Sequence, residues 1–356
     1  MELTSGVRYF LGANSKNGFY SLYDGFTAPL EGDFLHVIKG GPGCGKSTLM
    51  RRIGEYAGQR GEAVEYILCS GDPDSLDGVY LPGLRTAYVD GTAPHVQEAE
   101  YPGAASDYLD MSRFLDTAAL RGSLPEIAAL NRRYKALYAE AYALLAAGAA
   151  LLPKNCPGLR DAEEAARADR KTQALAEREM PRLKKTGALR RRFLSALSCR
   201  GRLFLPDALE GKQVWLLDNA LGLGHLYLAQ LCTLAGERGY DRLLCPDPLE
   251  PEKPEALILP EAQLAFLAAE QSPETAEAAQ WRRLHLDAAL DRELTEAQRE
   301  TLRRRGRESA RLLEEATRTL ARAKELHDAL EAYYRPHVDF AGASALAEAE
   351  TRRLFP

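Results

Sequence analysis

The chain lacks an apolar run long enough to cross a bilayer; its most apolar stretch, Ala141 to Leu152, is too short. It lacks a C-x-x-C pair. Six cysteines lie scattered over 356 residues, which points to free thiols in a reducing compartment rather than a disulfide framework. It lacks positive charge in excess: the formal net charge is −5, so nothing global argues for nucleic acid. Met1 to Tyr9 shows no signal-peptide pattern. The expectation from these absences is a cytoplasmic protein without a membrane partner. Hydrophobic content of 46% and charged content of 27% are ordinary for a globular chain, and the length predicts two domains.

One stretch carries recognisable chemistry. Gly40, Gly41, Pro42, Gly43, Cys44, Gly45, Lys46 and Ser47 fit G-x-x-x-x-G-K-[ST], followed by Thr48. Phe34 to Ile38 before it reads as a buried strand, and Ser47 to Tyr56 after it as an amphipathic helix. Glycines let backbone N–H groups turn inward, and the helix start adds positive potential, so strand, loop and helix together form an anion site. In such a site Lys46 places a point charge on the β- and γ-phosphates of ATP, and Ser47 offers a hard oxygen to Mg²⁺. Cys44 lies inside this loop and offers a point of sensitivity to alkylation.

The chain also repeats itself. Arg8 to Leu11 matches Arg192 to Leu194 with one gap, and Gly18 matches Gly201. Ile38 to Leu49 lies over Leu217 to Leu228, Ala57 to Gly61 over Ala235 to Gly239, and Leu81-Pro82 over Leu259-Pro260. Two α/β halves are expected, 1–180 and 187–356, each with a mostly parallel sheet, flanking helices and a helical hairpin. In the second half Lys46 becomes His225, Ser47 becomes Leu226, and Gly40 and Gly41 become Asn219 and Ala220. That half is expected to have lost phosphate chemistry.

Thr86 to Asp90 reads as a strand ending in a carboxylate, and Asp90 falls opposite Ala268 in the repeat. A carboxylate missing only where the lysine and serine are also missing suggests a shared task, so Asp90 is read with Ser47 as a Mg²⁺-side ligand and with Lys46 as catalytic. His95 in the following loop reads as a capping or packing residue. The loop Cys69 to Gly78, with Asp72, Asp74 and Asp77, is either a solvated turn or a ligand-side loop beyond a strand end. Asn14 to Phe19 reads as a surface turn, from which Lys16 has reach towards phosphate. Leu124 to Leu152 is an amphipathic helix whose tyrosines read as core, and Asp161 to Glu179 a solvated helix. The basic run Arg182 to Arg192 reads as a solvated interdomain segment, with an acidic partner, nucleic acid or an arginine acting on the nucleotide as alternatives. Thr295 to Gln298 fits a capping box that opens a helix towards Tyr334, stopped at Pro336.

Lys39 to Thr48, then Ser75 to Val79, Asp90 to His95, Leu326 to Asp328 and Tyr333-Tyr334 together resemble a family of uncharacterised bacterial P-loop ATPases with this length and two-half layout. The resemblance covers nearly the whole chain and implies a cytoplasmic ATP-binding protein. It departs at Asn219 to Leu226, where such proteins often keep a second phosphate loop. The expected activity is Mg-ATP hydrolysis in the first half. The alternatives are a small-molecule or nucleotide kinase, in which Asp72, Asp74, Asp77 or His95 places an acceptor hydroxyl, and a nucleotide-regulated interaction protein with an unknown partner or a second copy of itself.

Overall fold

A computed structural model of the chain describes residues 6–92, 97–156, 162–269, 278–286 and 292–355. His95 lies outside the described residues. The first half contributes β1 (Val7–Phe10), the hairpin β2 (Gly12–Ser15) and β3 (Gly18–Ser21), β4 (Phe34–Lys39), helix α1 (Lys46–Gly58), β5 (Glu65–Leu68), β6 (Leu76–Leu81), β7 (Thr86–Asp90) and β8 (Ser106–Asp110). Its sheet runs β1-β5-β6-β7-β4-β8, parallel except around β6. Val37 and Ile38 of β4 are fully buried, as expected of a strand covered on both faces.

Helices α2 (Thr117–Gly122), α3 (Leu124–Leu151) and α4 (Ala162–Glu179) follow. The second half then repeats the plan with β9 (Leu189–Arg191), the hairpin β10 (Ser195–Ser198) and β11 (Gly201–Phe204), β12 (Gln213–Asp218), α5 (Gly224–Glu237), β13 (Arg242–Pro246), β14 (Pro254–Leu259), β15 (Leu264–Ala269) and β16 (Arg282–Leu284). Its sheet order, β9-β13-β14-β15-β12-β16, matches the first strand for strand. The registers match too: Ile38 pairs with Asp90, and Leu217 pairs with Ala268. Even a rare backbone feature recurs, since Arg85 and Gln263, each closing a 3-10 turn between paired strands, both have φ of 49°.

The halves meet about a local two-fold. Phe10 and Phe193 exchange backbone hydrogen bonds of 3.0 and 2.9 Å. Arg8 reaches Asp207 of the second half at 2.6 Å, and Arg192 reaches the carbonyls of Gly25 and Phe26 and the carboxylate of Glu65 in the first. One hydrophobic core runs from the first sheet into the near face of the second, and another lies between that sheet's far face and α5.

The helices do not form a hairpin within each half. α3 instead pairs antiparallel with α6 (Glu296–Tyr334), so each half lends one long helix to a shared pair. Ser309 donates to the Gly148 carbonyl at one end, and Tyr134 packs on His327 at the other. The short helices cross over. α4 packs on α5 of the second half, and α7 (Phe340–Leu354) packs on α1 of the first. Three further expectations change. The charged segment 161–179 is not a solvated helix, because Thr172, Leu175 and Ala176 are buried against the second half. The basic run is not a solvated linker, because residues 189–191 form an edge strand and Arg192 is a buried bolt between the halves. Asn14 and Ser15, read as part of a surface turn, are buried in β2, and Lys16 pairs with Glu250 and Glu252 rather than pointing towards the glycine loop.

Candidate functional site

β4 sits between β7 and β8, all three parallel, so the loop Gly40–Gly45 leaves the carboxyl end of a central strand. Ligands in open α/β sheets bind at such ends. Gly43 has φ of 68° and Gly45 of 95°, the left-handed region that side chains disfavour. Gly45 is also the residue that starts α1, so the turn aims the first helical N–H groups back across the loop. Gly40 has Cys44 and Met111 beneath it: a Cβ there would lie 2.7 Å from the Cys44 sulfur. Cys44 itself is fully buried, and burial pushes its thiol pKa up despite Lys46 nearby, so the expected sensitivity to alkylation is not supported.

Lys46 is the first residue of α1 and is 9% exposed. Its Nζ donates to the carbonyls of Gly41 at 2.9 Å and Gly40 at 3.2 Å, and lies 3.5 Å from the Asp90 carboxylate. Asp90 is held by Thr92, whose N–H and hydroxyl donate to its other oxygen at 2.9 and 2.6 Å. The Ser47 hydroxyl accepts from the Leu76 N–H at 2.9 Å, which joins the helix start to the strand after the acidic loop and leaves the second lone pair of the oxygen. Thr48 is exposed in the first turn of α1. The fold thus brings Lys46 and Asp90 together at the end of the glycine loop. Lys39, next to the loop, is used otherwise: its Nζ donates to the carbonyls of Gly91 and Gln97 and to Glu98.

The three acidic candidates of the next loop are already engaged. Asp72 lies 3.4 Å from Lys324 of α6, Asp74 pairs with Arg200 of the second half, and buried Asp77 accepts from the Tyr23 hydroxyl at 3.1 Å. Tyr134 and Tyr138 of α3 lie against this loop, and a Cβ on Gly71 would come 2.7 Å from the Tyr138 oxygen, while the Tyr142 hydroxyl donates to Asn14 at 3.2 Å. Burial raises the Tyr134 pKa to about 12, in keeping with a packing role.

Sequence reasoning missed the roof of the site. The end of α6, from the second half, lies directly over the glycine loop. A Cβ on Gly41 would come 2.9 Å from the Tyr334 ring, and one on Gly43 would come 3.4 Å from both Arg335 and Glu331. Lys324, His327, Glu331, Tyr334 and Arg335 recur at helical spacing along the face turned to the first half. The signals in the sequence were the motif residues Leu326 to Asp328 and Tyr333-Tyr334 and the helix stop at Pro336, none of which says where the helix end docks.

The second half shows what replaced the glycine loop. Asn219 turns its side-chain oxygen onto the Gly224 N–H at 2.9 Å, so the residue itself occupies a helix-start donor. A Cβ on Gly224 would meet Ala268 at 2.6 Å. Leu221 is buried in an apolar cluster with Leu302, Cys156 and Leu294. Asp218, at the position of Lys39, pairs with His285 at 2.6 Å.

Among the described residues no group of histidine, cysteine and carboxylate side chains forms a ready metal site, and no helix is long and apolar enough to cross a membrane. Comparison with protein-family models, with curated proteins and with solved structures gives no match to this chain. The resemblance to bacterial P-loop ATPases therefore rests on its sequence motifs.

Proposed function

We propose that the first half binds Mg-ATP in the Gly40–Thr48 loop and hydrolyses it. The observation that carries this reading is the placement of Lys46: it starts a helix behind two left-handed glycines, at the end of a central parallel strand, with Asp90 3.5 Å away. In this reading the loop N–H groups and Lys46 hold the phosphates, while Ser47 and Asp90 stand on the Mg²⁺ side. Lys46 rests on the loop's own carbonyls, a contact that phosphate oxygens would replace. The metal would neutralise charge on the β- and γ-phosphates. The kinase reading has less support, since Asp72, Asp74 and Asp77 are each engaged within the protein.

The test is calorimetric titration with Mg-ATP and phosphate release by wild type and Lys46→Ala. Binding and turnover by wild type, both lost in the variant, would bear the proposal out. Binding without release in any condition would leave a nucleotide-regulated binding protein, and no binding by wild type would remove the proposal altogether.

A further inference from the structure

We infer that Arg335 is a phosphate-contacting residue which the second half supplies to the nucleotide site of the first. The inference rests on the proposed Mg-ATP site. Its starting observation is a cation with nothing to do. Arg335 stands over Gly43, and among the described residues its guanidinium makes no hydrogen bond or ion pair. The neighbouring cations are occupied: Lys324 with Asp72 and Asp328, and Lys46 with the loop and Asp90. The Arg335 stem lies against Gly43, so its planar, always-charged fork is within reach of the equatorial oxygens of a transferring phosphoryl group held by the loop.

The position of Arg335 is imposed by the fold. Pro336 ends α6, and the segment after it is stitched to the first half by the Asp116 N–H to the His337 carbonyl and the Asp339 N–H to the Phe114 carbonyl, both 2.8 Å. Tyr334 seats on Gly41, and α7 continues from this point to pack on α1, the helix that Lys46 begins. The arginine is therefore held from both sides at the loop.

The turn Pro153–Asn155 follows α3 as Arg335–His337 follows α6, and it carries no arginine. Lys154, which stands later in that turn than Arg335 does in its own, is buried and pairs with Glu250 at 3.4 Å and Asp247 at 4.0 Å. In the reaction, water oxygen bonds to the γ-phosphorus as the bond to the β–γ bridging oxygen breaks. ADP leaves with that electron pair, and the proton of the water passes to solvent. Arg335 would stabilise the charge carried by the phosphoryl oxygens in between, the role of an arginine finger supplied in cis by another part of the same chain.

The test uses the full chain as wild type, Arg335→Ala and Arg335→Lys. Calorimetry measures affinity for Mg-ADP with and without aluminium fluoride, which mimics the transferring phosphoryl group, and phosphate release from Mg-ATP is followed alongside. The expected result is that wild type binds Mg-ADP more tightly with aluminium fluoride. Arg335→Ala should keep its Mg-ADP affinity, lose that tightening and turn over on the order of 10³-fold more slowly, with Arg335→Lys intermediate. Equal tightening and equal turnover in wild type and Arg335→Ala would overturn the inference, as would a wild type that binds Mg-ADP but shows no tightening. If wild type binds no nucleotide, the proposed site itself fails, and that outcome is separate from the others. Circular dichroism of both variants guards against misfolding, which is not expected of an exposed, unpaired side chain.

Discussion

The two glycine-bearing loops of this protein occupy the same place in two nearly superimposable sheets, yet they are finished differently. After β4, the loop has two left-handed glycines, a buried lysine at the helix start and a polar roof of Glu331, Tyr334 and Arg335. After β12, one left-handed glycine survives, Asn219 covers a helix-start N–H, and Leu221 anchors an apolar plug with Leu302, Cys156 and Leu294. What a loop loses in ligand chemistry has to be replaced, because its N–H groups still need acceptors and its cavity still needs filling. The asparagine and the leucine do those two jobs. The degenerate half thus keeps its fold, and its long helix is free to serve the other half.

The largest effect expected from breaking this comparison is at Gly45. Gly45→Val forces a branched side chain into φ of 95°. It should abolish Mg-ATP binding by calorimetry and cost about 1–2 kcal/mol in a denaturant melt. Gly224→Ala, its counterpart, meets Ala268 instead and should lower stability without altering nucleotide binding in the first half. An effect on folding with nucleotide binding retained, felt by both halves together, is expected at their joint. Arg192→Ala removes a side chain that is 2% exposed and leaves Glu65 and the carbonyls of Gly25 and Phe26 without it. The melt should shift by about 3–5 kcal/mol, and limited proteolysis should cut between the halves sooner.

The smallest effect sharpens the comparison between the exchanged short helices. α7 docks through an imidazole: His36 Nδ1 lies 2.5 Å from Asp107, its Nε2 2.7 Å from Arg353, and Arg353 is tied to Glu350 and the Tyr88 hydroxyl. Accepting from an arginine requires a neutral ring. Burial lowers the His36 pKa below its ordinary 6.5, with Asp107 opposing. The unfolded chain therefore takes up the proton first. Stability from this contact is complete above 6.5 and is lost as pH falls through the depressed folded value. α4 docks on the other half around Trp215, flanked by Arg178 and Arg282. Stability measured by thermal melts should fall further between about pH 8 and about pH 5 in wild type than in His36→Gln. An equal difference would remove His36 from the docking account.

Much of the architecture was legible because it is written locally. The strand before the glycine loop, the helix after it, β7 ending in Asp90 and the capping box at Thr295 all rest on periodicity or short-range hydrogen bonding, and all are present. The repeat was legible for the same reason, since matched turns and strands keep matched spacings. The exchanged helices were not legible. A helix of the character of 162–179 shows an amphipathic stripe without saying which half will cover it, and Arg192 looks like any solvated arginine until two carbonyls from a distant turn close on it.

The sequence alone determined the two-fold plan and the single intact glycine loop, because each follows from residue types at fixed local spacing, and it marked Asp90 as a partner in the site without placing it against Lys46. Only the tertiary structure decided that the end of α6 roofs that loop, that α4 and α7 trade halves, and that Arg335 stands unpaired beside Gly43. Those contacts join residues far apart in the chain, where packing and the need to satisfy every buried backbone group choose the partner, and no local pattern records the choice.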